Sequence, residues 1–194
     1  MTSAYQIHLV DTSRDHNSAT ALQNLVLRTD IPKPIPGPGE VLVRIRAAAL
    51  NFRDLLVLVN SPLYLPTTSG VSPLADGAGT IVETGPGSVW DDSIGTNVLL
   101  CANQAWIEGS DAAQYKLEKT LGAANLDGTL RQYAVVADHL LVKSPENLNH
   151  EEAASMIAAG GTAMHALSSI KITKGTTVLT QGTGGVSCFA IQVS

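Results

Sequence analysis

The stretch that decides the fold is residues 36–54, PGPGEVLVRIRAAALNFRD. Its first four residues form a proline- and glycine-rich turn. Glu40 to Leu50 then has the composition and apolar pattern of a strand. Asn51 can cap a short, mostly apolar helix over Phe52 to Val59. The stretch therefore predicts a turn, a strand and a helix in that order.

Short strands separated by glycine and proline dominate the chain from Tyr5 to about Lys143. The same criteria predict five further strands: Leu25 to Arg28, Gly77 to Thr84, Asn97 to Cys101, Leu130 to Val136 and His139 to Val142. Many strands with few helices favour a barrel or sandwich with mixed pairing. Residues 91–127 carry the least pattern, so we expect them to be rich in loops.

Two different patterns follow this β-rich zone. Asn149 to about Ile170 has apolar residues at helical intervals, interrupted by the small residues 158–162, which predicts two helices or one bent helix. Thr177 to Thr180 then reads as a short buried strand. It is followed by a glycine-rich turn at 182–187 and by an apolar helical start, after which the sequence ends at Ser194.

The order strand, glycine-rich turn and helix matches the first half of a dinucleotide-binding unit. The glycines permit a tight turn and a close approach of the cofactor pyrophosphate, and the helix N-terminus presents free N–H groups. Ser187 stands where a third glycine is often found, and its hydroxyl could reach a phosphate. An ordinary tight turn between a strand and a helix is the alternative interpretation.

Composition excludes several function classes. The 194 residues are 44% hydrophobic and 15% charged, which allows a packed core. The net charge of -5 comes without a basic cluster, which argues against nucleic acid and against an electrostatic membrane partner. Cys101 and Cys188 share no metal-binding spacing, and we expect two buried, reduced thiols in a cytoplasmic protein.

Five segments together resemble one known family. They are 36–54 (PGPGEVLVRIRAAALNFRD), 73–87 (PLADGAGTIVETGPG), 128–136 (GTLRQYAVV), 153–167 (AASMIAAGGTAMHAL) and 178–187 (VLTQGTGGVS). Their order over residues 20–194 is similar to that of the zinc-independent alcohol dehydrogenase and quinone oxidoreductase branch of the medium-chain dehydrogenase/reductase superfamily, which includes enoyl reductase domains. Each segment alone is weakly specific, whereas the combination is highly specific.

The resemblance implies an α+β fold in three parts. Residues 1–148 would form a GroES-like, mostly β catalytic domain with a partly open barrel, and residues 149–175 would form connecting helices. Residues 176–194 would supply the first strand and a partial helix of an incomplete Rossmann domain. The residue that selects NAD or NADP, expected about 20 positions beyond the glycines, would fall past Ser194.

The resemblance also permits a test for zinc at each ligand position. Zinc-dependent relatives carry a cysteine where this chain has Asn51, a His-Glu pair at Ala75-Asp76, and a further cysteine near Ala158 or Ala159. A catalytic zinc needs about three ligands from Cys, His or carboxylate, and Asp76 alone cannot supply them. Residues 101–128 also lack the closely spaced cysteines of a structural zinc lobe. We therefore expect no metal.

Without zinc, the resemblance implies hydride transfer between NADP (or NAD) and a small carbonyl, quinone or enone substrate. Asn51 and, less directly, Tyr64 are the candidate catalytic residues. Asn51 could instead only cap its helix, and Tyr64 could lie in a surface loop. Arg53 could meet a cofactor phosphate or be solvated, and Asp54 is expected to support the local fold through a buried hydrogen bond.

The candidate cofactor-binding residues lie in two segments: Thr162, and the turn formed by Gly182, Thr183, Gly184, Gly185, Val186 and Ser187. Close helix packing would explain the small residues around Thr162 equally well. We expect the chain to be a truncated form that is poorly anchored at its end, binds cofactor weakly or not at all, and is inactive or impaired. Full-length relatives are expected to be homodimers. The alternative is a non-catalytic GroES-like remnant with a binding role or no retained function.

Overall fold

The computed structural model describes residues 1–106, 108–109 and 111–194. Within these ranges the strands are Thr2–Ile7 (β1), Leu25–Ile31 (β2), Glu40–Ala49 (β3), Asp76–Thr84 (β4), Asn97–Leu100 (β5), Tyr133–Ala137 (β6) and Leu141–Lys143 (β7). The α-helices are Phe52–Leu58 (α1), His150–Ser155 (α2), Gly161–Ser168 (α3) and Gly185–Val193 (α4). A π-helical turn, Met156–Gly160, joins α2 to α3. Short 3-10 turns lie at Ala21–Asn24, Ala112–Gln114, Leu117–Lys119 and Asp138–Leu140.

The strands form two open sheets. β1 pairs with β2, and the larger sheet has the order β6-β3-β4-β5-β7. An isolated bridge from Ala4 to Arg131 links the small sheet to the segment before β6. This arrangement confirms the mostly β, partly open GroES-like fold. The predicted mixed pairing is wrong, because every pair of strands among the described residues is antiparallel.

Apolar side chains from the larger sheet form the main core. Val41, Val43, Ile81 and Val98 are fully buried there, and Leu100 is almost so. Helix α2 packs on the other face of the sheet, where Ala153 and Ala154 contact Ala78 of β4. The small alanine side chains let α2 lie close to the sheet. This close packing places the π-helical turn beside the beginning of β4.

One strand was not predicted from the sequence, and one predicted strand is wrong. β1 was not predicted as a strand, although Thr2, Ala4 and Ile7 are buried in it. The predicted buried strand Thr177 to Thr180 is wrong, because these residues have no regular structure and Leu179 is 84% exposed. A strand requires a neighbouring backbone for its hydrogen bonds, and no segment among the described residues pairs with this one. The described helices include none long and apolar enough to cross a bilayer.

Candidate functional site

A cleft of about 330 Å³ lies where four helical segments meet. It is lined by Asn51, Phe52, Arg53, Ala158, Ala159, Thr162, Gly185 and Val186. These residues come from the start of α1, the π-helical turn, the start of α3 and the start of α4. The cleft therefore brings together four of the candidate site residues predicted from sequence, namely Asn51, Thr162, Gly185 and Val186.

Asn51 occupies the N-cap position of α1 and also faces a buried acid. Its backbone N–H donates to the Asp54 carboxylate at 2.8 Å, which holds the first turn of the helix. Its side-chain Nδ2 donates to Asp76 Oδ2 at 3.0 Å. The backbone of Asn51 thus caps the helix, while its side-chain amide is oriented by Asp76 at the edge of the cleft.

Asp76 is a buried carboxyl group that connects two walls of the cleft. Asp76 is 1% exposed. Besides the hydrogen bond from Asn51, its Oδ2 accepts one from the Ala158 backbone N–H at 3.1 Å. Oδ1 is buried and has no hydrogen-bond partner among the described residues. Burial raises the pKa of Asp76 above its ordinary value, while the bonds from Asn51 and Ala158 act in the opposite direction.

Three of the positions compared above with zinc ligands meet at this point of the structure, namely Asn51, Asp76 and Ala158. Asn51, Asp76 and the backbone of Ala158 are joined directly by hydrogen bonds. Among the described residues, no group of three or more His, Cys, Asp or Glu side chains is placed to hold a metal ion. An amide, one carboxyl group and a backbone N–H therefore occupy this part of the site.

The raised pKa of Asp76 predicts a specific effect of pH on stability. Because the folded state favours the protonated carboxyl, this group stabilises the fold most below its unfolded pKa of 3.8, and that stability falls as pH rises through the higher folded pKa. Asp76→Asn removes the titration. As pH rises from 3.8 towards neutrality, we expect the free energy of unfolding of the variant to increase relative to that of the unmodified chain.

Urea unfolding at several pH values measures this difference. Asp30→Asn is the exposed control, because the Arg28 guanidinium lowers the pKa of Asp30 but both side chains of this pair are exposed and solvent screens their interaction. The difference between this variant and the unmodified chain should stay within error over the same pH range. A pH-independent difference for Asp76→Asn would contradict the assignment of a raised pKa.

The guanidinium of Arg53 is bound within the chain and is not solvated. All three of its nitrogens have partners, so it is not available as a whole to a phosphate. Nε pairs with Asp54 Oδ1 at 3.2 Å, and Nη1 donates to the Tyr64 hydroxyl at 3.1 Å. Nη2 donates to the carbonyl of Leu121. Burial raises the pKa of Asp54, and the positive charge of Arg53 opposes that shift. Because Asp54 accepts hydrogen bonds from the Asn51 backbone and from Arg53, it supports the local fold, as expected.

Tyr64 lies beyond Arg53, away from the lining of the cleft. Its ring packs against the cluster that contains Val57 and Leu58, and its hydroxyl accepts the hydrogen bond from Arg53. The structure thus shows a contact that supports Arg53. A catalytic role for Tyr64 remains a prediction.

The glycine-rich turn forms the fourth wall. Gly182 has a φ of +77°, a conformation that favours glycine, and Gly184 caps α4. A Cβ on Gly185 would lie 3.0 Å from the Ala159 Cβ, so a glycine here allows α4 to approach the π-helical turn. Gly182, Thr183 and Gly184 are exposed.

Two side chains near this turn differ from expectation. The Ser187 hydroxyl donates to the carbonyl of Gln181 at 2.9 Å, so its hydrogen is directed to the backbone of the turn. Cys188 is exposed, which corrects the prediction of two buried thiols, while Cys101 is half-buried. Cys188 is exposed because α4 packs on only part of its surface, through residues such as Ala190 and Phe189.

The hydrogen bond between Asp76 and Ala158 and the partly buried hydrogen bonds of Arg53 were not predicted from the sequence. One signal was present for Asp76, since an acid interrupts the otherwise apolar and small residues of 74–79. Such an acid requires hydrogen-bond partners when it is buried. The partner at Ala158 is a backbone group 82 residues away, which no side-chain pattern identifies.

A family model for the alcohol dehydrogenase GroES-like domain matches residues 37–146. This match spans more than half of the chain. The chain belongs to the alcohol dehydrogenase GroES-like domain family. The other segments of the cleft lie outside the match, at 158–162 and 185–186.

Individual relatives agree with this assignment. A zinc-type alcohol dehydrogenase-like protein of Schizosaccharomyces pombe is 37% identical over 169 residues, covering 84% of this chain and 46% of the relative. A chloroplast envelope quinone oxidoreductase homolog of Arabidopsis thaliana is 28% identical over 172 residues, with 84% and 46% covered. The chain thus spans about half the length of these curated relatives.

The fold has close counterparts among solved structures. A crystal structure of an NAD-dependent alcohol dehydrogenase aligns with a TM-score of 0.80 and 27% identity, covering all of this chain and 54% of the other. The chain is thus similar to proteins named as alcohol dehydrogenases and as a quinone oxidoreductase homolog, and one of these is named as NAD-dependent.

Proposed function

We propose that this chain supplies the substrate side and the first phosphate-binding turn of a zinc-free, NAD(P)H-dependent oxidoreductase. The reaction is hydride transfer to or from a carbonyl, quinone or activated alkene. The observation that carries the proposal is the single cleft that joins Asn51, Thr162 and Gly185. Residues 1–148 form the GroES-like part, 149–175 the connecting helices, and 176–194 the start of the nucleotide-binding part.

The described residues fit a dinucleotide at one end of the cleft. The backbone N–H groups at the start of α4 and the conformation of Gly182 suit a pyrophosphate, while the close approach of Gly185 to Ala159 leaves no bulky side chain between them. Thr162 and the amide of Asn51 would contact the nicotinamide side. The cofactor, when bound, supplies the hydride chemistry.

Asn51 has the role of orienting substrate or cofactor in this proposal. Because its Nδ2 donates to Asp76, its amide has a fixed direction at the cleft edge. An amide carries two donor hydrogens and an acceptor oxygen, so the group retains hydrogen-bonding capacity for a carbonyl or a carboxamide. Phe52 and Val186 add exposed apolar surface to the lining of the cleft.

The zinc-free character gives a direct prediction. After expression with added zinc and gel filtration, the chain should hold far less than one zinc per molecule by elemental analysis. Of the positions compared with zinc ligands, only Asp76 carries a Cys, His or carboxylate side chain. The chelator EDTA should leave its melting temperature unchanged.

The matched control introduces ligands at the same place. Asn51→Cys combined with Ala158→Cys places two thiols beside the carboxylate of Asp76, and this variant should take up Co²⁺ with thiolate absorption bands. Stoichiometric zinc in the unmodified chain would contradict the zinc-free proposal.

The test of the function is a fluorescence titration of the 194-residue chain with NADPH. We expect saturable but weak binding, with a Kd above about 100 μM, because the glycine-rich turn is exposed and residues 177–180 form no strand. Oxidation of NADPH with quinone, enone and aldehyde acceptors then identifies the substrate class. Tight binding, with a Kd below about 1 μM, would contradict the expectation that this chain binds the cofactor weakly. No binding at all would favour a non-catalytic GroES-like protein.

A further inference from the structure

The backbone of Asp76 is held by strand pairing and by a side-chain hydrogen bond. It begins β4, where it pairs with Ala49 of β3. The Thr129 hydroxyl donates to its backbone carbonyl at 2.9 Å. The side chain is therefore presented from a rigid sheet to the helical segments above it.

The carboxyl group enters the hydrogen-bond ladder of the helix. In a regular α-helix the N–H of residue 158 donates to the carbonyl of residue 154. Here the Ala158 N–H donates to Asp76 Oδ2 at 3.1 Å, and residues 156–160 form a π-helical turn. A side chain that inserts into the ladder is one of the known physical causes of such irregular turns.

A π-helical turn changes which side chains face the cleft. It adds one residue to the helical repeat, so the residues that follow are rotated by about 100° relative to a regular α-helix. Ala159 lies within this turn and Thr162 follows it, and both line the cleft. The direction of Thr162 and the contact of Ala159 with Gly185 therefore depend on the turn.

We propose that Asp76 is a positioning residue whose Oδ2 holds the Asn51 amide and the π-helical turn at once, and thereby sets the width of the cleft and the direction of Thr162. The part of this proposal that concerns cofactor binding rests on the function proposed above. The part that concerns the helix is independent of it.

The same oxygen accepts both hydrogen bonds, which makes the two walls interdependent. Loss of the acceptor releases Ala158 to the regular helical ladder and releases the Asn51 amide. Asparagine at position 76 retains a carbonyl oxygen that can accept both N–H groups, whereas alanine retains none. The pair Asp76→Asn and Asp76→Ala therefore separates acceptor function from the mere presence of a side chain.

The experiment compares nuclear Overhauser effects in the 194-residue chain and its variants. The reporter is the contact between the Ala159 methyl group and the Gly185 α-protons, which the 3.0 Å approach of a Cβ built on Gly185 places in close range. We expect Asp76→Asn to retain this contact. We expect Asp76→Ala to lose it and to show regular α-helical contacts across residues 154–162.

Thr129→Val is the control for general destabilisation. It removes a neighbouring hydrogen bond to Asp76 but keeps the carboxyl acceptor, so the contact between Ala159 and Gly185 should persist. If Asp76→Ala keeps both the contact and the π-helical turn, or if Thr129→Val loses them equally, the proposal is overturned.

An NADPH titration of the same variants separates this proposal from the proposed function. We expect at least tenfold weaker binding by Asp76→Ala and binding within about twofold of the unmodified chain by Asp76→Asn. If the helical contacts change as expected while NADPH binds to none of the chains, the proposed function fails and the structural role of Asp76 stands. If NADPH binds equally to the unmodified chain and Asp76→Ala, the positioning role in binding is overturned.

Discussion

Arg53→Met is expected to lower the free energy of unfolding by about 3–5 kcal/mol, the range for removing one partner of a buried ion pair. The Arg53 and Asp54 side chains are only 18% and 5% exposed, so the remaining carboxyl would lose its partner in a poorly hydrated place. The variant also removes the hydrogen bonds to Tyr64 and to the carbonyl of Leu121. Urea unfolding monitored by circular dichroism measures the change.

Two further variants test the cause of that loss. Arg28→Met breaks the pair with Asp30, whose side chains are 42% and 62% exposed, and should leave the unfolding midpoint unchanged within error. Arg53→Met combined with Asp54→Asn should lose less stability than the sum of the two single variants, because no charge is left buried. Additive losses would contradict the buried-pair explanation.

Gly185→Asp is expected to weaken NADPH binding by at least tenfold while the chain stays folded. The carboxylate would stand at the mouth of the cleft beside the expected position of the pyrophosphate, where repulsion between like charges is several kcal/mol at about 5 Å and an effective dielectric constant of about 20. The same negative charge is favourable for the first turn of α4 itself. The added Cβ would also lie 3.0 Å from the Ala159 Cβ, so α4 must shift slightly and this strain opposes the favourable effect of the charge on stability.

Gln192→Glu is the matched control for this prediction. It adds the same charge to the exposed surface of α4, at the end opposite the cleft. NADPH affinity should remain within about twofold of that of the unmodified chain at moderate salt, where charges farther apart than about 10 Å are screened. Equal weakening by both variants would indicate a general charge effect and contradict binding at the start of α4.

Sequence pattern predicted the elements that carry strong local signals. Residues 36–54 gave the turn, β3 and α1 with boundaries close to those observed, because glycine, proline and the N-cap residue act locally. The small residues 158–162 also marked the irregular segment between α2 and α3. The ambiguity between two helices and one bent helix reflects a physical fact, since a π-helical turn continues the helix while it shifts its register.

The errors arose where structure depends on distant partners. Residues 177–180 have the composition of a strand, but a strand forms only when another backbone satisfies its hydrogen bonds. Arg53 was expected to meet a phosphate or water because its sequence neighbours do not reveal the carbonyl of Leu121. The candidate site roles of Asn51 and Thr162 came from the family resemblance, and that of Gly185 came from the glycine-rich turn. Only the structure shows that the three residues share one cleft.

The most direct test of the account is an NMR titration of the ¹⁵N-labelled chain with NADPH, followed to millimolar cofactor. We predict saturable shift changes at the Asn51 side-chain amide, at residues 158–162 and at residues 182–187, while Asp76 keeps its hydrogen bonds to Asn51 and Ala158. Shift changes confined to another region, such as the groove between β1 and β3 that is lined by Tyr5 and Ile45, would contradict it.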